Sequence, residues 1–269
     1  MKQRLRRIYH RVRARIKSVL VWNHQLYFRF AESRVECNIC NCKDVRMSSE
    51  SWHPYSKCFK CGSGVRQRLL WAAMSNLDKV SLNKVIKNKS VLHFAPEDVL
   101  RDRIKDQAAS YKAADFLAEG YDYPGIDLNI DISNMKEVKD GQFDCVIACD
   151  VLEHVPNHIK AMLETNRVLK KGGYCIFTVP QKDHLDKTFE DLTITDPKER
   201  EEKFGQRDHL RIYGNDFVDM LSNAGFEVTA IDETFFDQEM VRRFVLFPPV
   251  LSKHPLATNY RKVFFGRKL

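Results

Sequence analysis

The chain has 269 residues, of which 43% are hydrophobic, and this is enough for one full α/β domain and a small additional module. No apolar run approaches the roughly 18 residues that span a membrane, and the first residues lack the pattern of a secretory signal. The composition therefore excludes a membrane-spanning helix and ordinary export, and we expect a cytoplasmic protein. Its eight cysteines are expected to be metal ligands or buried thiols.

The net charge of +8 is concentrated at the two ends of the chain. Residues 1–30 contain nine Lys and Arg and no acid, and residues 242–269 contain seven and no acid. The remaining residues include 28 basic and 36 acidic side chains, so the body of the chain is acidic. This distribution does not indicate a broad nucleic-acid-binding face, although two basic ends can hold phosphate.

Residues 1–30 are predicted to form a basic amphipathic helix. Apolar residues recur there at helical spacing: Leu5, Ile8, Tyr9, Val12, Ile16, Val19 and Leu20. Three interpretations stay open: a structural helix packed on the rest of the chain, a helix on an anionic membrane surface, and a contact with nucleic acid or an acidic partner. On the membrane interpretation, the protein lies peripherally on the inner face of a membrane.

A small zinc-ribbon-like module is predicted for residues 31–66. It contains two pairs of cysteines, Cys37-x2-Cys40 and Cys58-x2-Cys61, with seventeen residues between the pairs. Two thiolates on a tight turn bind one metal ion together, and a second such turn completes a tetrahedron around zinc. Closed four-cysteine sites are structural, so we expect Zn²⁺ to support folding and to take no part in chemistry. Four unpaired buried thiols are the alternative.

A helical connector, residues 67–89, is expected to lead into alternating strands and helices. Strands are predicted at residues 91–94, 111–114, 126–130, 145–149, 174–179, 228–231 and 244–247, with helices at 98–107, 159–169 and 216–223. Alternation at this spacing predicts an α/β fold, with a doubly wound and mainly parallel sheet, over residues 90–250. A basic C-terminal tail is expected at residues 251–269.

The most informative segment is FDCVIACDVLEHVPN, residues 143–157. Its apolar part predicts a buried strand, and Asp150, Glu153 and His154 follow the carboxyl end of that strand, where open parallel sheets bind ligands. The motif LKKGG comes later, at residues 169–173. In these residues the chain closely resembles the class I S-adenosylmethionine (SAM) dependent methyltransferases. The resemblance implies a Rossmann-like methyltransferase sheet with SAM as the cofactor.

The loop after the first strand departs from that resemblance. It reads HFAPED, residues 93–98, and contains no glycine, although glycine normally lets the backbone approach SAM closely. Ala95 is small, and Pro96 with Glu97 is typical of a helix start. The chain also resembles a bacterial methyltransferase subfamily that has a double-CxxC module, the motif VLHFAPE and a late segment like residues 188–214.

The resemblance places the cofactor site at the ends of successive strands. It implies that Asp115 accepts the ribose hydroxyls, that Asp131 and the Ile132 amide contact adenine, and that Glu97 takes the SAM ammonium. Asp127 competes for the adenine role, and each single acid is equally typical of a cap or turn. The predicted cofactor-binding residues are His93, Phe94, Ala95, Glu97, Asp115, Asp131, Ile132 and Asp150.

A long insertion, residues 181–213, follows the fifth strand and is predicted to form a substrate lid. Asp208 is expected to orient His209 as a general base, and His154 is a second candidate base, although support of its loop is the simpler role for it. Substrate contacts are predicted for Glu190, Arg200, Arg211 and Tyr213. A solvated, charged loop is the competing interpretation of the insertion.

The sequence lacks the motifs that align amino groups for methylation and the Pro-Cys nucleophile of pyrimidine carbon methylation. We therefore expect a SAM-dependent methyltransferase that acts on a hydroxyl or anionic acceptor of small-molecule or glycan type. Two alternatives remain. One is an RNA methyltransferase whose zinc module and basic ends hold nucleic acid, and the other is a non-catalytic zinc-binding interaction protein with a degenerate SAM site.

Overall fold

The computed structural model describes residues 35–43, 47–50, 53–117 and 125–269. The helix predicted for residues 1–30 lies outside these ranges, so the helix and its three candidate partners stay predictions. Within the described ranges, every helix is too short or too polar to cross a bilayer.

The centre of the structure is a seven-stranded sheet. Its strands, in chain order, are β3 (Ser90–Phe94), β4 (Ser110–Asp115), β5 (Leu128–Asn129), β6 (Phe143–Cys149), β7 (Leu169–Thr178), β10 (Phe226–Ile231) and β11 (Val263–Lys268). Their order across the sheet is β10-β11-β7-β6-β3-β4-β5. The pairs from β5 to β7 are parallel, whereas β11 runs antiparallel to both of its neighbours. The predicted mainly parallel sheet is therefore confirmed.

The parallel register brings the carboxyl ends of four strands to one edge. Phe94 of β3 lies opposite Ala114 of β4 and Ala148 of β6, and Asp115 lies opposite Asn129 of β5. Each of these strands ends within one or two residues of these paired positions. The loops that follow them therefore start side by side, which is the arrangement that forms ligand sites in open α/β sheets.

Helices cover both faces of the sheet, as a doubly wound fold requires. The described helices are α1 (Val65–Asn76), α2 (Leu82–Val85), α3 (Asp98–Lys105), α4 (His158–Val168), α5 (Pro197–Phe204), α6 (Phe217–Asn223) and α7 (Gln238–Phe244). One core packs α1 and α3 against the face that carries Val91. The other core packs α4 and α6 against the face that carries Leu92. Alternate residues of β3 thus enter opposite cores, as expected for a strand buried on both faces.

The end of the chain differs from the sequence prediction. The strand predicted at residues 244–247 is wrong, because Phe244 ends α7 and Val245 turns into the left-handed region, with φ 49°. The last strand is instead β11, within the segment expected to be a basic tail. Phe264 and Phe265 of β11 are buried in opposite cores. The sequence analysis missed β11 because its apolar run is short and is flanked by Arg and Lys.

Two further strand pairs lie outside the main sheet. The antiparallel strands β1 (Met47–Glu50) and β2 (His53–Cys58) belong to the N-terminal cysteine-containing module. The antiparallel strands β8 (Phe189–Glu190) and β9 (Arg211–Ile212) close the base of the insertion at residues 181–213, and α5 lies between them. The insertion is thus a folded unit.

Arg68 connects the N-terminal module to the rest of the core. Its side chain is fully buried in α1. The guanidinium donates to the carbonyls of Ser56 and Ser63 in the module, and to those of Phe244 and Val245 at the end of α7. Hydrogen bonds from a charged donor are stronger than neutral ones, and each buried carbonyl left without a donor is costly. Arg68 therefore fixes the module against α7.

We expect Arg68→Met to lower the free energy of unfolding by about 3 kcal/mol or more, because several buried carbonyls lose their donor. Arg68→Lys should retain part of that stability. Urea unfolding followed by circular dichroism measures both variants. Arg242→Met, the same change at an exposed position of α7, should shift the stability by less than about 0.5 kcal/mol. Equal effects at the two positions would contradict the role given to Arg68.

Candidate functional site

Four loops meet at the carboxyl edge of the sheet, and two of them turn sharply. Ala95 directly after β3 and Asp150 directly after β6 both adopt left-handed backbone conformations, with φ 43° and 51°. Such conformations cost a residue with a Cβ roughly 1–2 kcal/mol, and they concentrate at functional sites. In the first loop, Ala95 makes the turn that glycine usually makes.

The predicted nucleoside-binding acids lie at this edge. The Asp115 carboxylate, at the end of β4, accepts a hydrogen bond from the amide of Phe116 at 2.8 Å. The Asp131 carboxylate accepts from the Ser133 amide at 2.7 Å, next to the buried Ile132. Asp127 instead accepts from the amide of Ala113 within β4, which is a structural role.

Phe116 is a residue of this edge that the sequence analysis missed. Its ring is 68% exposed directly after Asp115. The sequence could have indicated Phe116 by its position directly after Asp115, the acid that the resemblance implies binds ribose.

The side chains of His93 and Phe94 face the cores, so these two residues do not present side chains at the edge. His93 is buried, and its Nδ1 lies 3.0 Å from the Tyr111 hydroxyl. Burial lowers the pKa of His93 to about 3, so the imidazole is neutral. Only the backbone of these two residues can meet a cofactor, which corrects the expectation for their side chains.

A network of four charged side chains spans the edge. Arg66 donates to both carboxylate oxygens of Glu97, at 2.9 and 2.6 Å, and its Nε lies 2.9 Å from Asp150. Arg261 contacts both oxygens of Asp150 at 2.8 Å, and Thr178 donates to the same carboxylate. Burial alone would raise the pKa of Asp150, but Arg261 and Arg66 outweigh it and lower that pKa to about 2. Asp150 is therefore ionised at neutral pH.

This network changes the role expected for Glu97. Its carboxylate is occupied by Arg66 and by the Gln67 amide at 2.7 Å. A free ammonium group can reach Glu97 only by sharing or displacing these donors. Arg66 and Arg261 themselves were missed by the sequence analysis, because their partners lie about 30 to 110 residues away in the chain.

A cavity of about 700 Å³ opens next to Asp150. Its walls come from four separate segments. They are residues 53, 56 and 64–67 of the N-terminal module and the start of α1, residues 150 and 180 of the sheet edge, residues 201, 204–209 and 212 of the insertion, and residues 248, 256, 258 and 261 near the C terminus. Ligand sites for small molecules have volumes in this range. The insertion thus forms one wall of the cavity, and its action as a lid stays a prediction.

The three predicted catalytic residues lie close together, with Asp208 and His209 in the cavity wall. The expectation that Asp208 orients His209 is wrong, because Asp208 contacts His154 and the Phe204 carbonyl holds His209 Nδ1. His154 Nδ1 lies 3.4 Å from Asp208 Oδ2, and the His154 and His209 rings are 4.8 Å apart. Glu153 joins them, with Oε1 at 4.0 Å from His209 Nε2. Burial raises the pKa of the Glu153 carboxyl well above its ordinary value, and the nearby Asp150 adds to the rise. Burial lowers the pKa of His209, so this imidazole favours its neutral, basic form.

All four predicted substrate residues instead make contacts with protein, within the lid or between the lid and neighbouring segments. Arg211 is fully buried and donates to Glu190 and to the carbonyls of Leu152, Val155 and Pro156. Because its nitrogens are bound by protein, Arg211 holds the lid on the loop after β6 and is not available to an acceptor. Glu190, as its partner, shares that structural role.

Tyr213 and Arg200 also contact protein. Tyr213 is fully buried, and its hydroxyl lies 3.0 Å from His158 Nδ1. Arg200 donates through Nε to the Ile194 carbonyl inside the lid and is not among the residues lining the cavity. Three other arginines line the cavity: Arg66 and Arg261 are paired with Asp150, whereas Arg207 is exposed.

The four cysteines of the N-terminal module lie together. Cys37 Sγ is 3.7 Å from Cys61 Sγ, and Cys40 Sγ is 3.8 Å from Cys58 Sγ. Sulfur atoms about 3.8 Å apart are what a tetrahedral site with Zn–S bonds of about 2.3 Å requires. Each pair sits on a turn closed by a backbone hydrogen bond, from Asn41 to the Cys37 carbonyl and from Gly62 to the Cys58 carbonyl. The donor set and its geometry fit zinc.

Comparisons with known proteins agree with this architecture. Residues 105–231 match the family described as "Methyltransferase domain". A solved S-adenosylmethionine dependent methyltransferase from Mesorhizobium loti is 13% identical, with a TM-score of 0.50 over 76% of this chain and 100% of that one. A 1,6-didemethyltoxoflavin-N1-methyltransferase from Burkholderia thailandensis is 15% identical, with a TM-score of 0.45 over 75% and 82% of the two chains.

One curated relative is an uncharacterized protein of Methanocaldococcus jannaschii. It is 45% identical over 58 residues, which are 21% of this chain and 25% of that protein. The match thus spans a quarter of that relative's length. The family match at residues 105–231 includes β4, β6, β7 and the lid. Over those residues it supports the predicted enzyme class.

The role of Arg211 gives a prediction for the lid. Arg211→Met should loosen residues 181–213, because several acceptors under the lid lose a charged donor. Chymotrypsin should then cleave at Phe189 and Leu192, which are 44% and 49% exposed, at least tenfold faster than in the unmodified protein. Arg200→Met is the matched control, with one lid contact removed, and should leave the cleavage rate nearly unchanged. Equal rates for both variants would contradict an anchoring role for Arg211.

Proposed function

We propose that the protein transfers the methyl group of SAM to a hydroxyl group of a small-molecule or glycan-type acceptor. The observation that carries the proposal is the cavity of about 700 Å³ beside Asp150, with His209 and Asp208 in its wall. The ligand edge of a methyltransferase sheet is adjacent to a space large enough for an acceptor. A histidine that burial keeps basic lies in the same space.

SAM is proposed to lie along the carboxyl edge, outside β4, β5 and β3. Asp115 accepts the ribose hydroxyls, and Asp131 and the Ile132 amide contact the adenine. The exposed Phe116 ring offers a face on which adenine can stack. The left-handed turn at Ala95 leaves only a methyl group between the backbone and the cofactor.

The methionine end of SAM carries an ammonium and a carboxylate, and it is proposed to meet the charged network. By exchanging contacts that they now make with one another, Arg66 would donate to the carboxylate, while Glu97 and Asp150 would accept from the ammonium. Both signs of charge are therefore present within one buried cluster. The sulfonium methyl would then point from Asp150 into the cavity.

Methyl transfer depends mainly on alignment, because the sulfonium leaves readily. A hydroxyl acceptor must also lose its proton, which requires a base close to the reacting oxygen. His209 is suited to this role, since its Nδ1 is held by the Phe204 carbonyl at 3.1 Å and its Nε2 is left to accept. Arg66, Arg207 and Arg261 in the wall suit an acceptor that also carries negative charge.

The four cysteines are proposed to hold one structural Zn²⁺. The zinc would fix the module that supplies His53, Ser56 and residues 64–67 to the cavity wall. In this role the metal shapes the acceptor site without touching the reaction.

The SAM site can be tested by calorimetric titration with SAM. Asp115→Ala should weaken SAM binding at least tenfold, because the ribose loses two charge-assisted hydrogen bonds. His209→Ala should change SAM binding less than twofold, and Asp219→Ala, on the exposed face of α6, should not change it. Equal losses in Asp115→Ala and His209→Ala would show that the cofactor acid is misplaced. No binding of SAM by the unmodified protein would refute the proposed function.

The zinc site can be tested by elemental analysis after dialysis against EDTA. We expect about one zinc per chain, and loss of that zinc together with lower thermal stability in Cys58→Ser. Cys42→Ser is the matched control, because Cys42 is buried in the same module but lies outside the four-cysteine cluster. Zinc-free protein, or equal zinc in the two variants, would contradict the site.

A further inference from the structure

Three side chains of a kind that binds metals converge at the wall of the cavity, away from the cysteines. Glu153 and His154 lie in the loop after β6, and His209 lies in the lid. One ligand atom from each residue lies within 4.8 Å of the others. Two segments more than 50 residues apart thus bring two imidazoles and a carboxylate to one point.

The hydrogen bonding of His209 directs a lone pair into this cluster. Nδ1 lies 3.1 Å from the Phe204 carbonyl, which can only accept, so Nδ1 carries the proton. Nε2 is then unprotonated and faces Glu153 Oε1 at 4.0 Å. This distance is too long for a hydrogen bond. Two ligand atoms on a tetrahedral ion with bonds of roughly 2.0–2.1 Å lie about 3.4 Å apart, so a small side-chain movement brings both atoms onto one cation.

Glu153 gives a second, independent observation. Its side chain is 1% exposed, and its Oε2 is buried without a hydrogen-bond partner among the described residues. A buried carboxylate oxygen without a partner is costly, and such atoms in folded proteins usually have a bound ion, a water molecule or a donor. A cation between Glu153 and the two histidines would supply the missing partner.

We propose that Glu153, His154 and His209 bind a divalent first-row metal ion that holds the acceptor hydroxyl for methylation. Two imidazoles and one carboxylate suit Mn²⁺, Co²⁺ or Zn²⁺. Three protein ligands leave coordination positions open, as catalytic metal sites require. The site adjoins the cavity through His209, the one of the three ligands that is in its wall. This inference deepens the proposed function and rests on it for the identity of the reaction.

The chemical role follows from the charge of the ion. A hydroxyl oxygen bound to a divalent cation loses its proton far more readily than a free one. With His209 Nε2 bound to the ion, the base for the proton is Asp208 instead, which is 58% exposed and passes the proton on to water. The alkoxide oxygen forms a bond to the SAM methyl carbon while the methyl–sulfur bond breaks and its electron pair stays on sulfur. The products are the methyl ether, neutral S-adenosylhomocysteine and one proton.

The four-cysteine cluster and the proposed site are chemically distinct, which makes the proposal testable. Thiolates favour zinc, whereas Mn²⁺ favours oxygen and nitrogen ligands. The probe is therefore Mn²⁺ alone, added to zinc-loaded full-length protein. Electron paramagnetic resonance reports the free Mn²⁺ that remains in solution, and so gives the stoichiometry and affinity of binding.

We expect one Mn²⁺ per chain. Glu153→Gln, His154→Asn and His209→Asn should each weaken Mn²⁺ binding at least tenfold, because each removes one of three ligands. His184→Asn changes an exposed histidine outside the cluster and should bind like the unmodified protein. Circular dichroism verifies that each variant is folded. His154, whose side chain is one-third exposed, gives a variant that should fold even if the change at buried Glu153 does not.

Absence of Mn²⁺ binding at millimolar concentration, or unchanged binding in the folded His154→Asn and His209→Asn variants, would overturn the metal site. SAM titration of the same samples separates the two claims. SAM binding without Mn²⁺ binding refutes the metal site and leaves the proposed function standing. Mn²⁺ binding that depends on the three ligands, without SAM binding, supports the site and refutes the proposed function.

Discussion

The structure depends on one physical constraint: a buried guanidinium must be surrounded by acceptors. Arg66, Arg68 and Arg211 each meet this requirement by bridging distant segments. Arginine keeps its charge even when buried, so it cannot relieve a poor environment by losing a proton. Each of these side chains therefore fixes the relative positions of the segments that supply its acceptors. The N-terminal module, the C-terminal segment and the lid are all held to the sheet in this way.

The cavity is a consequence of that arrangement. Its walls come from the module, the sheet edge, the lid and the C-terminal segment, and the sheet alone would leave it open. The sheet is thus a scaffold with the proposed cofactor edge, whereas the proposed acceptor site is assembled from the added segments. This separation agrees with the general behaviour of α/β enzymes, in which function varies through loops on a constant framework.

The sequence predicted the parts of this structure that depend on local pattern. Apolar runs such as residues 145–149 indicated the central strands, and the spacing of the cysteines indicated their cluster. The sequence failed where partners are far apart. Arg211 looked like a substrate residue because no local pattern shows that the carbonyls after β6 surround it. Strand β11 was missed for a related reason. It is the last strand in the chain, and its antiparallel pairing with β7 and β10, rather than a local pattern, defines it.

The glycine-free first loop is best understood together with the charged network beside it. Ala95 and Asp150 adopt the left-handed conformation that glycine adopts without strain, and each does so at a cost of about 1–2 kcal/mol. Asp150 is held there by Arg66, Arg261 and Thr178, and the helix after Ala95 is held by the contact of Glu97 with Arg66. Several charge-assisted hydrogen bonds outweigh that strain. The network therefore does what glycine does in related loops, and it adds fixed charges where the charged end of the cofactor is proposed to bind.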